Sequence, residues 1–227
     1  MDLYIVTNLV KVLEKMRELG LRYRENDNSD VVIGIFFDVD CPACARMHRE
    51  CGEYLISLAR EGKVDLFYLD FPVHKGSERA HVLVRRIFQR NPELFIETLR
   101  KIYSQDGKDF VEKAKNLDVP QSEIDQVMSC KKFGKELGVR GTPTLLIGIK
   151  SKNIAIVMEG YWGRQAVEKL IEKALSKDRD LEKLITLLVL IGNIREYPPS
   201  EAGRAETKIG TESGNVSAQT SSPQTSL

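Results

Sequence analysis

Seven consecutive residues, Val31 to Phe37, read Val-Val-Ile-Gly-Ile-Phe-Phe, a run of β-branched and aromatic side chains that predicts a buried strand. The period then changes. After Pro42, apolar positions recur at Met47, Cys51, Tyr54, Leu55 and Leu58, the stripe of an amphipathic helix that stops at Gly62. Val64 to Phe71 returns to strand, and Pro72 breaks it.

Helical patterning fills the middle of the chain. Ser77 is placed to cap a helix carrying Val82, Leu83, Ile87 and Phe88. Asn91-Pro92-Glu93 supplies a cap, a proline and a first-turn acid for a second. Asp106-Gly107 separates a third helix around Phe110 to Leu117, and Pro120 leads into a fourth that ends before Gly138. Thr144 to Ile149 and Ile154 to Met158 then predict a hairpin, followed by a helix from Gly163 to Leu175.

The two ends differ from this block. Asn8 to Leu19 predicts a short helix, started by Thr7 or Asn8, and Arg22 to Asp30 reads as a polar link. Leu181 to Ile191 is apolar nearly all round, which suits either a cap on the monomer or a homodimer contact. From Pro198 onward almost nothing is apolar, so the tail is expected to be disordered. The expected organisation is thus 1–30, an N-terminal helix and link; 31–177, the main domain with a helical insertion at about 77–137; 178–195, the apolar helix; and 196–227, the tail.

Length and composition bound the function. At 227 residues with 42% hydrophobic side chains the chain can build one sizeable core. Lysine and arginine number 34 against 33 acids, a net charge of +1 that points to neither nucleic acid nor an anionic membrane. The longest apolar run, around Leu187 to Ile191, is far short of the ~20 residues of a membrane span. The first thirty residues are interrupted by Asp2, Lys11, Glu14, Lys15 and Arg17, so a cytoplasmic location is expected. In that compartment four cysteines argue for catalysis or metal binding ahead of a disulfide framework.

Cys41-Pro42-Ala43-Cys44 stands where the first strand hands over to the helix. Cys41 is expected at the helix N-terminus, where unpaired N–H groups and the macrodipole favour a thiolate, and Cys44 lies one turn on. Two readings compete: a redox pair, or a zinc-binding interaction protein using Cys41, Cys44 and His48. Cys51 is two turns from Cys44, about 10 Å of helix rise, too far to join the same tetrahedral site. Cys51 and Cys130 read as small buried hydrophobes, with a bridge between them left open. His48 and His81 read as surface or packing residues, His74 as a loop-surface residue ahead of one lining the substrate groove, and Trp162 as core or rim packing.

Taken with Ile35-Phe36-Phe37-Asp38, Phe71-Pro72 and Gly138-Val139-Arg140-Gly141-Thr142-Pro143-Thr144, the motif resembles the thioredoxin superfamily, and within it the DsbA-like thiol–disulfide oxidoreductases. The resemblance covers about Val31 to Leu175. It implies an α/β thioredoxin fold, a mixed central sheet with helices on both faces and a helical insertion, here joined by extra terminal helices. It implies that Cys41 and Cys44 are catalytic, that Pro143 is cis and faces them, and that Thr142 and Pro143 bind substrate. Substrates would be protein thiols and disulfides, with a redox recycling partner and neither organic cofactor nor metal. A glutathione-dependent enzyme on the same fold is the other alternative. Two departures matter. The buried acid that relatives carry six residues before the first cysteine is Ile35 here, with Asp38 and Asp40 nearer in sequence. The Pro-Ala dipeptide also lacks the histidine of the strongly oxidising type, which implies a less extreme potential.

Overall fold

The computed structural model describes residues 2–26, 28–104, 107–176 and 179–199. In chain order its elements are β1 (Leu3–Thr7), α1 (Leu9–Leu19), β2 (Leu21–Arg24), β3 (Val31–Phe37), α2 (Pro42–Arg60) and β4 (Val64–Asp70). Then come α3 (Glu78–Arg90), α4 (Pro92–Ser104), α5 (Gly107–Lys115), α6 (Gln121–Glu136), β5 (Thr144–Ile149), β6 (Ile154–Glu159), α7 (Arg164–Ser176), α8 (Arg179–Leu190) and β7 (Ile194–Glu196).

The strands form one mixed sheet in the order β2-β4-β3-β5-β6-β1-β7. β3 runs parallel to β4 and antiparallel to β5, and β5 and β6 make the expected hairpin. Side chains alternate across the sheet, so β3 feeds two cores. Val31, Ile33, Ile35 and Phe37 join α2, α4 and α7 on one face, whereas Val32 and Phe36 join α1 and α6 on the other. The helices α3 to α6 all lie between β4 and β5 in sequence, which is the expected insertion. Among the described residues no helix is long and apolar enough to cross a membrane.

The ends depart from expectation. The stretch read as helix plus polar link also contributes β1, antiparallel to β6, and β2, antiparallel to β4. β2 looked polar because Arg22 and Arg24 face solvent, while the alternate residues Leu21 and Tyr23 are buried. At the other end β7 pairs in parallel with β1, and Glu196 lies opposite Thr7. Tyr197 is buried, with its ring 5.6 Å from that of Phe133, so residue 196 is paired and residue 197 packed where the tail was expected to start; 200–227 lie outside the described residues. α8 is not buried all round: Leu181 and Leu188 point inward, while Leu187, Val189, Leu190 and Ile191 are exposed.

Local starts and stops follow side-chain chemistry. Asn91 Oδ1 accepts the Glu93 and Leu94 N–H groups at 2.9 and 3.3 Å, the expected cap of α4. Ser77 does not cap α3; its hydroxyl donates instead to the His74 carbonyl at 2.9 Å. Asn8 does not cap α1 through its side chain either, which donates to the Tyr197 carbonyl at 3.0 Å.

Candidate active site

β3 delivers Cys41 to the N-cap of α2, with Pro42 in the first helical turn. The Cys41 N–H donates to the Asp38 carbonyl at 3.2 Å, and its own carbonyl accepts the Ala45 N–H at 3.0 Å. Its sulfur is therefore fixed over the helix N-terminus, where N–H groups lack intrahelical acceptors. Both thiols are free and buried, Cys44 more deeply than Cys41.

Environment drives the two thiols apart. Cys41 is lowered to about 6, first by a hydrogen bond from Cys44 and then, against burial, by Thr142 and the Cys44 and Ala43 backbone. Cys44 is pushed well above the ordinary thiol value, first by burial and then by the neighbouring Cys41. At neutral pH the pair is thus one thiolate and one thiol.

The loop before β5 closes over this pair. The Thr142–Pro143 peptide is cis. The Cys41 thiol reaches the Thr142 carbonyl at 3.3 Å, across 101 positions of sequence. Thr142 Oγ1 is buried and has no partner at ordinary hydrogen-bond geometry, yet it favours the anionic form of both thiols. Of the two loop residues expected beside the cysteines, Thr142 meets Cys41 directly, and Pro143 follows it across the cis peptide. The loop is braced from behind: the Gly160 N–H donates to the Pro143 carbonyl at 2.9 Å, and Arg140 is held by Glu159 and Asp2.

Ile35, at the position where relatives carry an acid, is buried in the core. A different set of charges lies beneath the site. Asp38, Asp70 and His81 are fully buried. His81 Nδ1 is 2.7 Å from Asp70, its Nε2 is 3.3 Å from Asp38, and Arg85 pairs with the second oxygen of Asp70. The other oxygen of Asp38 accepts the Val73 and His74 N–H groups at 2.8 and 2.9 Å and contacts His74 Nδ1 at 2.8 Å. The Asp38 carbonyl accepts the hydroxyl of Tyr103 at 3.0 Å as well as the Cys41 N–H. Asp38 therefore ties the cysteine loop to the loop after β4.

Burial opposes charge throughout this cluster, and mutual pairing overcomes it. Asp38 and Asp70 stay below the ordinary carboxylate range through His81, with Arg85 adding to Asp70. His81 is raised to about 9 by the two carboxylates, against the cost of burying an imidazolium. His81 was read as a surface or packing residue. Its signal was present, because His81 and Arg85 are four apart on α3 and so share a face. The partner was not visible, since Asp70 ends a strand eleven residues earlier and only the fold brings it to His81.

Among the described residues no three histidine, cysteine or acidic side chains converge on a point that would hold a metal. His48 turns toward Tyr103, ring centroids 5.3 Å apart, and burial lowers it to about 4. Cys51 and Cys130 lie in the cores on opposite faces of the sheet, so they are not a bridge; the Cys51 sulfur is 3.4 Å from the Tyr161 hydroxyl.

A family model described as thioredoxin matches residues 22–161. The chain belongs to the thioredoxin family. The match starts within β2, a strand outside the stretch that carried the sequence resemblance. Among solved structures, this thioredoxin-family chain is similar to alpha-DsbA1 of Wolbachia pipientis, with a TM-score of 0.56 and 14% identity over 70% of this chain and 92% of that one. The catalytic domain of Proteus mirabilis ScsC gives 0.55 and 15% over 74% and 98%. The thiol-disulfide exchange protein alpha-DsbA2 of Wolbachia pipientis gives 0.52 and 18% over 73% and 93%. At such identities the likeness is one of fold, the thioredoxin fold with a DsbA-type helical insertion. A search of curated proteins finds none that matches.

Proposed function

We propose that this protein is a thiol–disulfide oxidoreductase that exchanges disulfides with protein substrates through Cys41 and Cys44. The observation that carries the reading is the split pair: a Cys41 sulfur lowered to about 6 at a helix N-terminus, backed by a buried thiol that stays protonated.

In the reducing direction the Cys41 thiolate attacks one sulfur of a substrate disulfide. The substrate S–S bond breaks, a mixed disulfide forms, and the departing substrate thiolate takes a proton. Cys44 then loses its proton and attacks the Cys41 sulfur. That step forms the Cys41–Cys44 disulfide and releases the second substrate thiol, so two electrons pass from the enzyme pair to the substrate. The oxidising direction runs the same steps backwards. Turnover in either direction requires a redox partner to restore the pair. Thr142 and Pro143 line the approach to Cys41 and seat the substrate chain, whose extended backbone pairs with the loop before β5. The cysteines themselves carry the electrons.

The test is reduction of a disulfide-bonded protein substrate with a thiol reductant as the recycling agent. Wild type is expected to turn over. Cys41→Ser is expected to be inactive, and Cys44→Ser to accumulate a mixed disulfide visible by mass spectrometry. Activity that survives Cys41→Ser would refute the reading.

A further inference from the structure

Away from the cysteines, α3 and α6 enclose a cleft of about 500 Å3 lined by Arg85, Arg86, Gln89, Arg90, Glu123 and Gln126, with Val82 also on its wall. Three guanidinium groups share this space with one carboxylate. Among the described residues Glu123 is engaged by Arg86 alone, in a two-pronged pair at 2.7 and 2.8 Å. Arg90, four residues on from Arg86 on the same face, has no carboxylate partner among the described residues. Two like charges at that spacing repel and weaken the helix that carries them.

Arg85 forms the inner wall. Its side chain is largely buried, and one guanidinium nitrogen serves Asp70 and the Leu19 carbonyl. Its Nε is buried and has no acceptor. That nitrogen has no surface open to the cleft, so Arg85 adds charge to the wall while its bonds stay with Asp70 and Leu19, and the cleft keeps a surplus of positive charge.

We infer that the cleft between α3 and α6 binds a phosphate group, with Arg86 and Arg90 as its donors and the Arg85 charge behind them. A phosphate supplies several acceptor oxygens and enough negative charge for a site of this kind, and guanidinium groups match its geometry. The volume exceeds that of the bare ion, so a small phosphate monoester is the class of ligand that fits. Glu123 competes with it for Arg86.

The experiment is calorimetric titration of the full-length protein with inorganic phosphate and with glycerophosphate, in chloride buffer at constant ionic strength. Saturable binding is expected for both. Arg90→Ala, a change at an exposed position, is expected to weaken it about tenfold, the loss of one charge-assisted contact. Glu123→Gln is expected to tighten it severalfold, because it frees Arg86 and removes a negative neighbour. Thiol–disulfide exchange should be unchanged in both variants, and their thermal midpoints without phosphate should report that they fold. Heats no different from added chloride would overturn the proposal. So would acetate binding as tightly as phosphate, or phosphate binding that neither variant moves.

Discussion

Cys41 reacts as a thiolate only if the groups around it keep their places. Its rate of alkylation by iodoacetamide is expected to rise through an apparent pKa near 6, with Cys44 contributing no reaction in the same range. Cys44→Ala removes the largest stabilising contact and should move that midpoint upward, read from the same pH–rate profile. The buried charges below the site make a second, independent prediction. His81 is raised from its ordinary 6.5 to about 9, so its contribution to stability is whole below pH 6.5 and is lost as pH climbs through about 9. Asp38 and Asp70 are lowered from 3.8, so theirs is whole above that value and is lost as pH falls below it. Thermal melts across pH should therefore show a plateau between these limits and decline on both sides. His81→Ala leaves two buried carboxylates facing each other and should cost about 3–5 kcal/mol by urea unfolding, with the alkaline decline flattened. Of these residues the cysteines were legible at once, because a Cys-x-x-Cys after an apolar strand needs no partner to be recognised. The Asp38–His81–Asp70 set was not, since each member lies in a different element.

At the level of elements, a close approach does what no side chain can. Gly148 of β5 faces α1, and a Cβ there would meet Val32 Cγ1 at 2.4 Å and Leu9 Cδ1 at 2.8 Å. Val32 is β-branched and held in the sheet, so it has little freedom to yield. Gly148→Ala is expected to destabilise the fold by about 1–3 kcal/mol, seen as a lower urea midpoint with an unchanged slope, while the pH profile of Cys41 stays as in wild type. Elements with strong local signals were read correctly: β3 by its unbroken apolar run, α4 by Asn91-Pro92-Glu93, the β5–β6 hairpin by its paired apolar runs. The strands missed were short or two-faced. β1 has only five residues, β2 exposes two arginines, and β7 has three residues with no apolar run at all. Such segments become strands because a neighbouring edge supplies hydrogen-bond partners, which is a tertiary cause.

For the molecule as a whole, the measurable quantity is the equilibrium of the cysteine pair with glutathione. A thiolate stabilised by Thr142 and the α2 terminus favours the reduced form, while the Pro-Ala dipeptide contributes no further cation. Titration read as the alkylated fraction of Cys41 is therefore expected to give a potential between the about −270 mV of thioredoxin and the about −120 mV of the most oxidising relatives; a value outside that interval would contradict this balance. A few neighbouring residues encode the strand that ends at Phe37, the helix that starts at Pro42, the thiol between them, and the change of period that marks the insertion. Tertiary structure alone decided what depends on distant residues meeting. It set the Thr142 carbonyl against Cys41, put Cys51 and Cys130 on opposite faces of the sheet, and closed β7 onto β1. It also enclosed a buried imidazolium between two acids where Ile35 offers none. Short-range sterics and hydrogen bonding write the first kind of information locally, whereas burial and charge pairing act on residues that only the packed sheet makes neighbours.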